Sequence, residues 1–275
     1  MRTVSPYALG ATLYMPATRA DLLDVVCHGK IPGLRSLVIC LEDAVSEADV
    51  QDGLLNLQKL LTSIHALGGR SRSGPVVFVR PRNAEMAMRL NDLSLIHHVD
   101  GFVAPKLNLA SLSDWEQAIT HPSLLIMPTL ETRDVFDPVA MVDLRDGLVD
   151  KLKEKTLVLR IGGNDLMGCL GLRRSASHTL YSTPMGYVIP MLAGIMGAAG
   201  FYLTAPVFER LDNDQLFSDE LELDLMHGLV GKTAIHPSQI QPIHDALRVS
   251  IEDLNSARLI MADDASAVFK HGGAM

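Results

Sequence analysis

The sequence is poor in cysteine. Its 275 residues include three cysteines, Cys27, Cys40 and Cys169, which lie far apart and form no CxxC pair. An odd count without paired spacing predicts neither a disulfide framework nor a zinc–thiolate site. The N-terminal segment MRTVSPYALG has no long apolar stretch. We therefore expect no signal peptide and a location in the reducing cytoplasm.

The chain also has no excess of basic residues. Lys and Arg number 24 against 32 Asp and Glu, which gives a formal net charge of −8 and an isoelectric point near 5.6. Broad binding to nucleic acid or to an anionic membrane needs a basic surface, so neither partner is expected. A hydrophobic content of 48% with 20% charged residues is typical of a soluble globular chain.

A long uninterrupted apolar run is missing as well. Residues 175–208 contain no Asp, Glu, Lys or Arg, but Pro184, Pro190 and Pro206 interrupt them. A membrane-spanning helix needs about 20 consecutive apolar residues. Because the prolines and glycines fall where a helix and a strand would end, the pattern predicts a helix at about 185–199 followed by a buried strand.

Several familiar motifs are absent. The sequence contains no GxGxxG, Walker, HExxH or GxSxG motif. Gly162-Gly163 is a glycine pair without the later acidic residue that dinucleotide binding requires. No such motif therefore indicates the reaction, and the candidate functional residues follow from the arrangement of the predicted strands.

Apolar, β-rich runs alternate with helical patterns about eight times. Such alternation predicts a parallel sheet, and eight units in a chain of this length favour one closed (β/α)8 TIM barrel over residues 1–275. The predicted strands are 12–16, 36–41, 76–81, 101–105, 124–130, 157–161, 200–205 and 232–236. The predicted helices are 19–28, 47–67, 86–98, 134–148, 184–199 and 219–229, with others beginning at Ser111 and Ser238 and a C-terminal helix at about 251–270.

Polar side chains follow these strands, and in a barrel all the strand ends meet at one rim. They include four acids and several cations, a costly cluster unless it binds a ligand. Mg²⁺ and Mn²⁺ prefer carboxylate and water oxygens, and nearby cations suit a small anionic substrate. The predicted rim residues are Arg19, Glu42, Asp43, Arg80, Arg82, Lys106, Glu131, Asp165, Thr204 and His236.

Glu131 and Asp165 are the candidate metal ligands. Each follows a predicted strand, and the glycine pair before Asp165 would let the backbone turn sharply. The alternative is that both acids only cap the helices after them. Glu42 and Asp43 present the same choice between capping a helix near Ser46 and holding water on the metal. Strand alternation allows at most one of these two to point straight inward.

Two cations also have two interpretations each. Arg80 at a strand end suits bidentate binding of a substrate carboxylate, but it can equally form a salt bridge to Glu42 or Asp43. Lys106 could form a Schiff base if it is desolvated, although a charge partner for the acids is the simpler role. His236 in AIHPSQ could bind substrate or only shape the turn before Pro237.

Taken together, these segments resemble the citrate lyase beta-subunit-like branch of the HpcH/HpaI aldolase family. Seven pieces match in the right order over nearly the whole chain, and the last is nearly the family's GKxAIHPxQ signature. The pieces are ATLYMPATR (11–19), LVICLEDAV (37–45), VFVRPRN (77–83), GFVAPK (101–106), PTLET (128–132), IGGNDLMGCLG (161–171) and GKTAIHPSQI (231–240).

The resemblance implies a TIM barrel that uses Mg²⁺ (or Mn²⁺) to cleave or form a carbon–carbon bond, usually as a homotrimer or hexamer. It implies Glu131 and Asp165 as metal ligands, Arg80 as the group that binds the substrate carboxylate, and Glu42 and Asp43 near the waters on the metal. Glu131 and Lys106 would also contact substrate. The expected substrate is a 2-oxo or 2-hydroxy acid or a coenzyme A thioester such as citryl-CoA or malyl-CoA.

Two segments depart from the family pattern. After the seventh strand the family often has Asp, whereas this chain reads LTAPV at 203–207, and residues 170–188 are also atypical. These departures leave two alternatives open. One is a divergent lyase of a specialised pathway that does not use coenzyme A, and the other is a catalytically idle barrel that serves as a subunit.

Overall fold

Eight parallel strands form the centre of the molecule. The computed structural model describes residues 4–262. Strands follow one another in chain order around the sheet, and the first strand pairs with the last. The predicted (β/α)8 barrel is therefore confirmed. The strands are Gly10–Pro16 (β1), Ser36–Cys40 (β2), Val76–Arg80 (β3), Gly101–Ala104 (β4), Leu125–Leu130 (β5), Leu159–Ile161 (β6), Leu203–Thr204 (β7) and Gly231–Ala234 (β8).

The barrel closes between β7 and β8 through a short junction. A parallel bridge joins Ala205 to Lys232. The Ala205 N–H donates to Gly231 O at 2.7 Å, and the Thr233 N–H donates to Ala205 O at 3.2 Å. The strands predicted at 157–161 and 200–205 are shorter in the structure, since regular pairing begins only at Leu159 and Leu203.

Alternation along the strands divides the core in two. The larger apolar cluster lies between the strands and the helices. A smaller cluster consists of side chains that point to the other side of the sheet, and it includes Val38, Phe78 and Met127. Cys40 and Arg80, two residues further along their strands, and Glu131, four residues after Met127, point to this same side and line a cavity. The smaller cluster is therefore the filled interior of the barrel, and the cavity lies above it at the carboxyl ends of the strands.

Helices alternate with the strands. One apolar helix, Met185–Gly197, contains Pro190. It matches the helix predicted at 184–199 to within two residues at each end. None of the helices in residues 4–262 is long and apolar enough to span a membrane. The helices are Leu22–Cys27 (α1), Val50–Ala66 (α2), Ala84–Asn91 (α3), Leu112–Ala118 (α4), Pro138–Lys151 (α5), Gly163–Cys169 (α6), Met185–Gly197 (α7), Asp214–Met226 (α8), Ile240–Ala246 (α9) and Ile251–Ile260 (α10).

Several helix boundaries differ from prediction because local caps decide them. The Asn83 side chain accepts the Met86 N–H at 2.9 Å, so α3 begins earlier than predicted, and it ends at Asn91 rather than running to His98. Asn213 likewise begins α8 before the predicted residue 219.

The predicted helix 134–148 divides in the same way. A short 3-10 turn, Arg133–Phe136, precedes α5, which Asp137 caps and Pro138 begins.

The predicted C-terminal helix lies only partly within the described residues. Helix α10 covers Ile251–Ile260, and none of its residues is buried. The rest of the helix predicted at about 251–270 extends beyond residue 262, outside the described residues. The assignment of residues 1–275 to one domain stays a prediction.

Candidate active site

A cavity of about 270 Å³ opens at the carboxyl ends of the strands. It lies where barrel enzymes carry their active sites. Strand ends from opposite sides of the barrel supply its wall, which brings together residues far apart in the chain. Among the residues that line it are Tyr14, Asp43, Arg80, Glu131, Arg160 and Asp165.

Glu131 follows the last residue of β5 and is 4% exposed. Its Oε1 accepts a hydrogen bond from the Lys106 backbone N–H at 2.8 Å and lies 3.2 Å from Arg80 Nη2. Burial raises the pKa of Glu131 to about 7, against the opposing effect of Arg80 and the Lys106 N–H, while Asp165 and Glu42 raise it further. Burial is therefore the main influence on the pKa of this acid, and it outweighs the contact with Arg80.

Gly162 leaves the room that Glu131 occupies. A Cβ on Gly162 would lie 2.3 Å from Glu131 Oε2 and 2.4 Å from its Cβ. The backbone at Gly162 has a φ of −89°, which any residue can adopt. The chain does turn sharply here, since β6 ends at Ile161 and α6 begins at Gly163. In addition, Gly162 is needed for the close approach of Glu131, and Gly163 for contact with Pro206.

Asp165 lies in the first turn of α6, and Gly162 occupies the cap position. The alternative that Asp165 caps this helix is therefore wrong. Asp165 lines the same cavity as Glu131. Within residues 4–262, neither Asp165 nor Glu131 Oε2 accepts a hydrogen bond from protein. Two carboxylates with free oxygens facing one cavity suit a hard divalent cation such as Mg²⁺.

Such a site would have few protein ligands. The described residues contain no group of three or more His, Cys, Asp or Glu side chains placed to hold a metal. Mg²⁺ commonly binds through one or two carboxylates and keeps several waters or substrate oxygens. The donor set therefore fits Mg²⁺ with open positions for substrate.

Arg80, at the end of β3, contacts three acids. Its Nη2 lies 2.8 Å from Glu42 Oε2 and 3.2 Å from Glu131 Oε1, and its Nη1 lies 3.2 Å from Asp43 Oδ2. The buried Nε has no hydrogen-bond partner among the described residues. The structure thus shows the salt-bridged arrangement, and a direct contact with a substrate carboxylate stays a prediction.

Glu42 and Asp43 follow β2, which ends at Cys40. The Glu42 side chain is 8% exposed, whereas that of Asp43 is 57% exposed. Asp43 lines the cavity, whereas Glu42 contacts Arg80 and Lys106 and does not line it. Asp43 is therefore the acid of this pair that can meet a ligand.

Lys106 contacts Glu131 through its backbone N–H, whereas its side chain contacts Glu42. It is the one non-glycine residue among those described with a positive φ, at 51°. This strained conformation aims its N–H at Glu131. Its Nζ lies 3.0 Å from Glu42 Oε1, a hydrogen bond that raises the Lys106 pKa. A lysine held protonated is a poor Schiff-base nucleophile, so the charge-partner interpretation is favoured.

Six of the predicted rim residues do not line the cavity, namely Arg19, Glu42, Arg82, Lys106, Thr204 and His236. Arg19 pairs with Asp21 and is exposed. Arg82 bonds to Val45 O and Glu47. The ring of His236 accepts the Ser238 N–H at 3.2 Å and caps a short 3-10 turn, Pro237–Gln239, so His236 has the turn role. The helix predicted from Ser238 begins at Ile240.

Comparison with known families decides the class of the protein. A family described as C–C bond lyase of the TIM-barrel fold matches residues 3–275. The chain belongs to this family. The resemblance to the citrate lyase beta-subunit group and the assignment as a carbon–carbon lyase are both confirmed. Among curated proteins, no sequence is significantly similar to the lyase.

Solved structures share the fold of the lyase at low identity. The CitE protein of Mycobacterium tuberculosis, in complex with magnesium, acetoacetate and coenzyme A, is 20% identical with a TM-score of 0.69, covering 98% of the lyase and 92% of CitE. The citrate lyase beta subunit of M. tuberculosis, complexed with oxaloacetate and magnesium, is 18% identical (TM-score 0.65, 89% and 99% covered). Haloferax volcanii malate synthase, as a lead(II) complex, is 15% identical (TM-score 0.71, 91% and 76% covered).

The cavity of the lyase contains residues that the sequence did not reveal. Tyr14, Thr129, Arg160 and Thr233 line it from inward positions below the rim. Only Arg160 gave a signal, as a charged residue inside the apolar run LVLRIGG, and its importance depends on which way its side chain points.

Proposed function

We propose that the protein is a Mg²⁺-dependent lyase that cleaves or forms a carbon–carbon bond in a 2-oxo or 2-hydroxy acid or its coenzyme A thioester. The observation that supports this most is the shared cavity of Glu131 and Asp165, which carry free carboxylate oxygens and line this cavity together with Arg80. The two acids would hold Mg²⁺. When bound, Mg²⁺ supplies Lewis-acid polarisation of the substrate carbonyl and stabilises an oxyanion.

The surrounding residues hold this arrangement in place. Arg80 contacts Glu131 and Glu42, and its buried Nε has no hydrogen-bond partner among the described residues. The Lys106 N–H fixes Glu131 Oε1, which leaves Oε2 beside Gly162. A carboxyl group on the substrate would bind Arg80 through charge-assisted hydrogen bonds, partly replacing the exposed Asp43.

Asp43 is the proposed proton acceptor. It lines the cavity, and its one ion pair among the described residues is longer than both ion pairs of Glu42. Asp43 lies 3.2 Å from Arg80, whereas Glu42 lies 2.8 Å from Arg80 and 3.0 Å from Lys106. In cleavage, the substrate hydroxyl gives its proton to Asp43 and its oxygen becomes a carbonyl. The electron pair of the broken carbon–carbon bond leaves with the other fragment as an enolate, which takes a proton from solvent. Condensation is the reverse.

The substrate class rests on similarity and on charge. Structures of the M. tuberculosis relatives contain oxaloacetate or acetoacetate with magnesium, and one also contains coenzyme A. The free acid and its thioester, such as citryl-CoA or malyl-CoA, are distinguished by turnover of each with the purified protein.

The test of the metal site is thermal unfolding with Mg²⁺, with oxaloacetate, and with both. A ligand at 100 times its dissociation constant stabilises by about 2.7 kcal/mol. We expect joint stabilisation in the wild type and its loss in Asp165→Asn, because the free carboxylate in the first turn of α6 is removed.

The matched control is Asp214→Asn, which changes an exposed acid in the first turn of α8. It should keep the wild-type response. Joint stabilisation that survives in Asp165→Asn and in Glu131→Gln, or no turnover of any acid or thioester, would contradict the proposal and favour the idle-barrel alternative.

A further inference from the structure

Arg160 is a buried cation without a counter-ion. It lies on β6 and is 1% exposed. The other buried Arg and Lys side chains in residues 4–262, Arg80 and Lys232, contact carboxylates within 4 Å, as does the partly buried Arg174. No acid side chain among residues 4–262 lies within that distance of Arg160. A buried charge without compensation costs several kcal/mol, so such a residue is expected to have a partner that comes from outside the chain.

The hydrogen bonds of Arg160 are also incomplete. Its Nη2 donates to Thr233 Oγ1, and its guanidinium carbon lies 5.3 Å from the centre of the Tyr14 ring. Its buried Nη1 has no hydrogen-bond partner among the described residues. Thus one arm of the guanidinium is fixed by β8 and the other is free.

Two buried threonine hydroxyls on the strands beside Arg160 also lack a hydrogen-bond partner among the described residues. Thr129 on β5 and Thr204 on β7 are the register partners of Arg160 on its two sides. Residues paired in register on parallel strands point to the same face of the sheet. The Oγ1 atoms of both threonines are buried and have no hydrogen-bond partner within residues 4–262. Three unpaired polar groups therefore lie in one row across the barrel.

Two members of this row, Arg160 and Thr129, line the cavity. Thr233 and Tyr14 line it as well. Thr129 precedes Glu131 by two residues, so the row lies one inward layer, about 7 Å, below the Glu131 carboxylate. Arg160 is thus a second cation below the rim group of Arg80 and Glu131, placed to meet the inward anionic end of an elongated ligand.

We propose that Arg160 Nη1, flanked by the hydroxyls of Thr129 and Thr204, binds a second carboxylate at the inner end of a dicarboxylic substrate. This inference rests on the proposed function for the other end of the substrate, which binds at Glu131, Asp165 and Arg80. Arg160 is then a specificity-determining residue that favours short dicarboxylic 2-oxo or 2-hydroxy acids over monocarboxylic acids of the same head group.

The experiment measures binding by calorimetry in the presence of Mg²⁺, with malate against lactate and oxaloacetate against pyruvate. The wild type should prefer the diacid by about tenfold to a hundredfold, the value of a charge-assisted hydrogen bond. In Arg160→Met this preference should disappear while the affinity for lactate and pyruvate stays within about twofold of the wild type. Phosphonopyruvate tests whether a phosphonate is accepted in place of the inner carboxylate, and binding tighter than that of oxaloacetate would overturn the choice of a carboxylate.

A stability measurement separates this role from a structural one. Removal of an unpaired buried charge should raise the melting temperature of ligand-free Arg160→Met, since replacement of a buried ion by an apolar side chain is often stabilising. The matched control is Arg174→Met. Arg174 pairs with Glu220 and Glu209 away from the cavity, so this variant should lose stability and keep the preference for diacids.

The outcomes distinguish the two proposals. Mg²⁺-dependent binding with no diacid preference, or with a preference that survives in Arg160→Met, overturns the role of Arg160 and leaves the proposed function intact. If the wild type binds none of the acids with Mg²⁺, the proposed function fails. In that case malonate binding is measured without Mg²⁺. Binding by the wild type that is lost in Arg160→Met supports the inner anion site, and no binding by the wild type, or equal binding by both proteins, overturns that site too.

Discussion

Among single residues, Gly162 decides where the Glu131 carboxylate lies. Only a residue without Cβ leaves the space that Glu131 Oε2 and Cβ fill. The sequence motif IGGND indicated that glycine matters here but not why, because a glycine needed for a turn and a glycine needed for close approach look alike in sequence. The difference depends on β5, which lies about thirty residues earlier in the chain.

We expect Gly162→Ala to destabilise the protein by about 1–3 kcal/mol, the usual cost of forcing atoms into a packed site. The added methyl must displace Glu131, so stabilisation by Mg²⁺ with oxaloacetate should be lost as well. Urea unfolding and thermal shift measure the two effects.

The control for this prediction is Gly168→Ala in α6, where a new Cβ meets no atom within 4 Å. It should be neutral or stabilise by about 0.5–1 kcal/mol, as Ala for Gly does inside a helix. Equal behaviour of the two variants would show that space beside Glu131 is not limiting.

At the scale of secondary-structure elements, a buried ionic network joins α8 to β8. Lys232 is 1% exposed, and its Nζ lies 2.7 Å from Asp224 Oδ2 and 3.1 Å from Glu220 Oε1. Arg174 and the Leu180 N–H contact Glu220 from the segment before α7. The network therefore attaches the atypical segment 170–188 to the outside of the barrel.

We expect Lys232→Met to cost about 3–5 kcal/mol, because it leaves Glu220 and Asp224 buried without this cation. The measurement is the free energy of unfolding in urea. Lys151→Met removes a surface pair with Glu116 at 2.6 Å and should have little effect. A small effect of Lys232→Met would mean that water or rearrangement compensates the two acids.

The contact between α9 and β1 predicts a pH effect. The His244 ring packs on Gly10, where a Cβ would lie 2.5 Å from its Nε2. Burial, with Arg35 nearby and opposed by Asp245, lowers the pKa of His244 from 6.5 to about 4. Between these values the unfolded chain binds more protons than the folded one, so stability present above pH 6.5 is lost as pH falls towards 4.

We expect His244→Gln to reduce this loss by an amount on the order of 2–3 kcal/mol. The check is urea unfolding at pH 7.5, 6 and 4.5. His28→Gln, at an exposed histidine paired with Asp24, should leave the slope unchanged. If the slopes of wild type and His244→Gln coincide, burial of His244 does not contribute to the pH dependence.

At the scale of the whole molecule, the barrel leaves apolar side chains on its surface. Helix α10 has no buried residue, and its Ile251, Leu259 and Ile260 are 67%, 49% and 60% exposed. Such a surface suits contact with another chain.

The homotrimer or hexamer predicted from the sequence stays a prediction. Light scattering coupled to size exclusion should give three or six times the chain mass of 29.9 kDa. A mass equal to one chain would contradict it.

Much of the fold could be predicted from the sequence, because it depends on local patterns. Apolar runs such as 76–80 and 36–40 mark buried strands wherever they lie, and a series of eight leaves few topologies. The boundaries of α3 and α8 were missed because the caps at Asn83 and Asn213 act through one side chain each.

The sequence by itself determined that Glu42, Asp43, Arg80, Glu131 and Asp165 reach one rim, because the carboxyl ends of parallel strands in a barrel always meet. Only the tertiary structure decided what each of them touches. The three acids on Arg80, the raised pKa of Glu131 and the unpaired Arg160 are consequences of distances between segments remote in the chain. Those distances depend on packing, which no local pattern encodes.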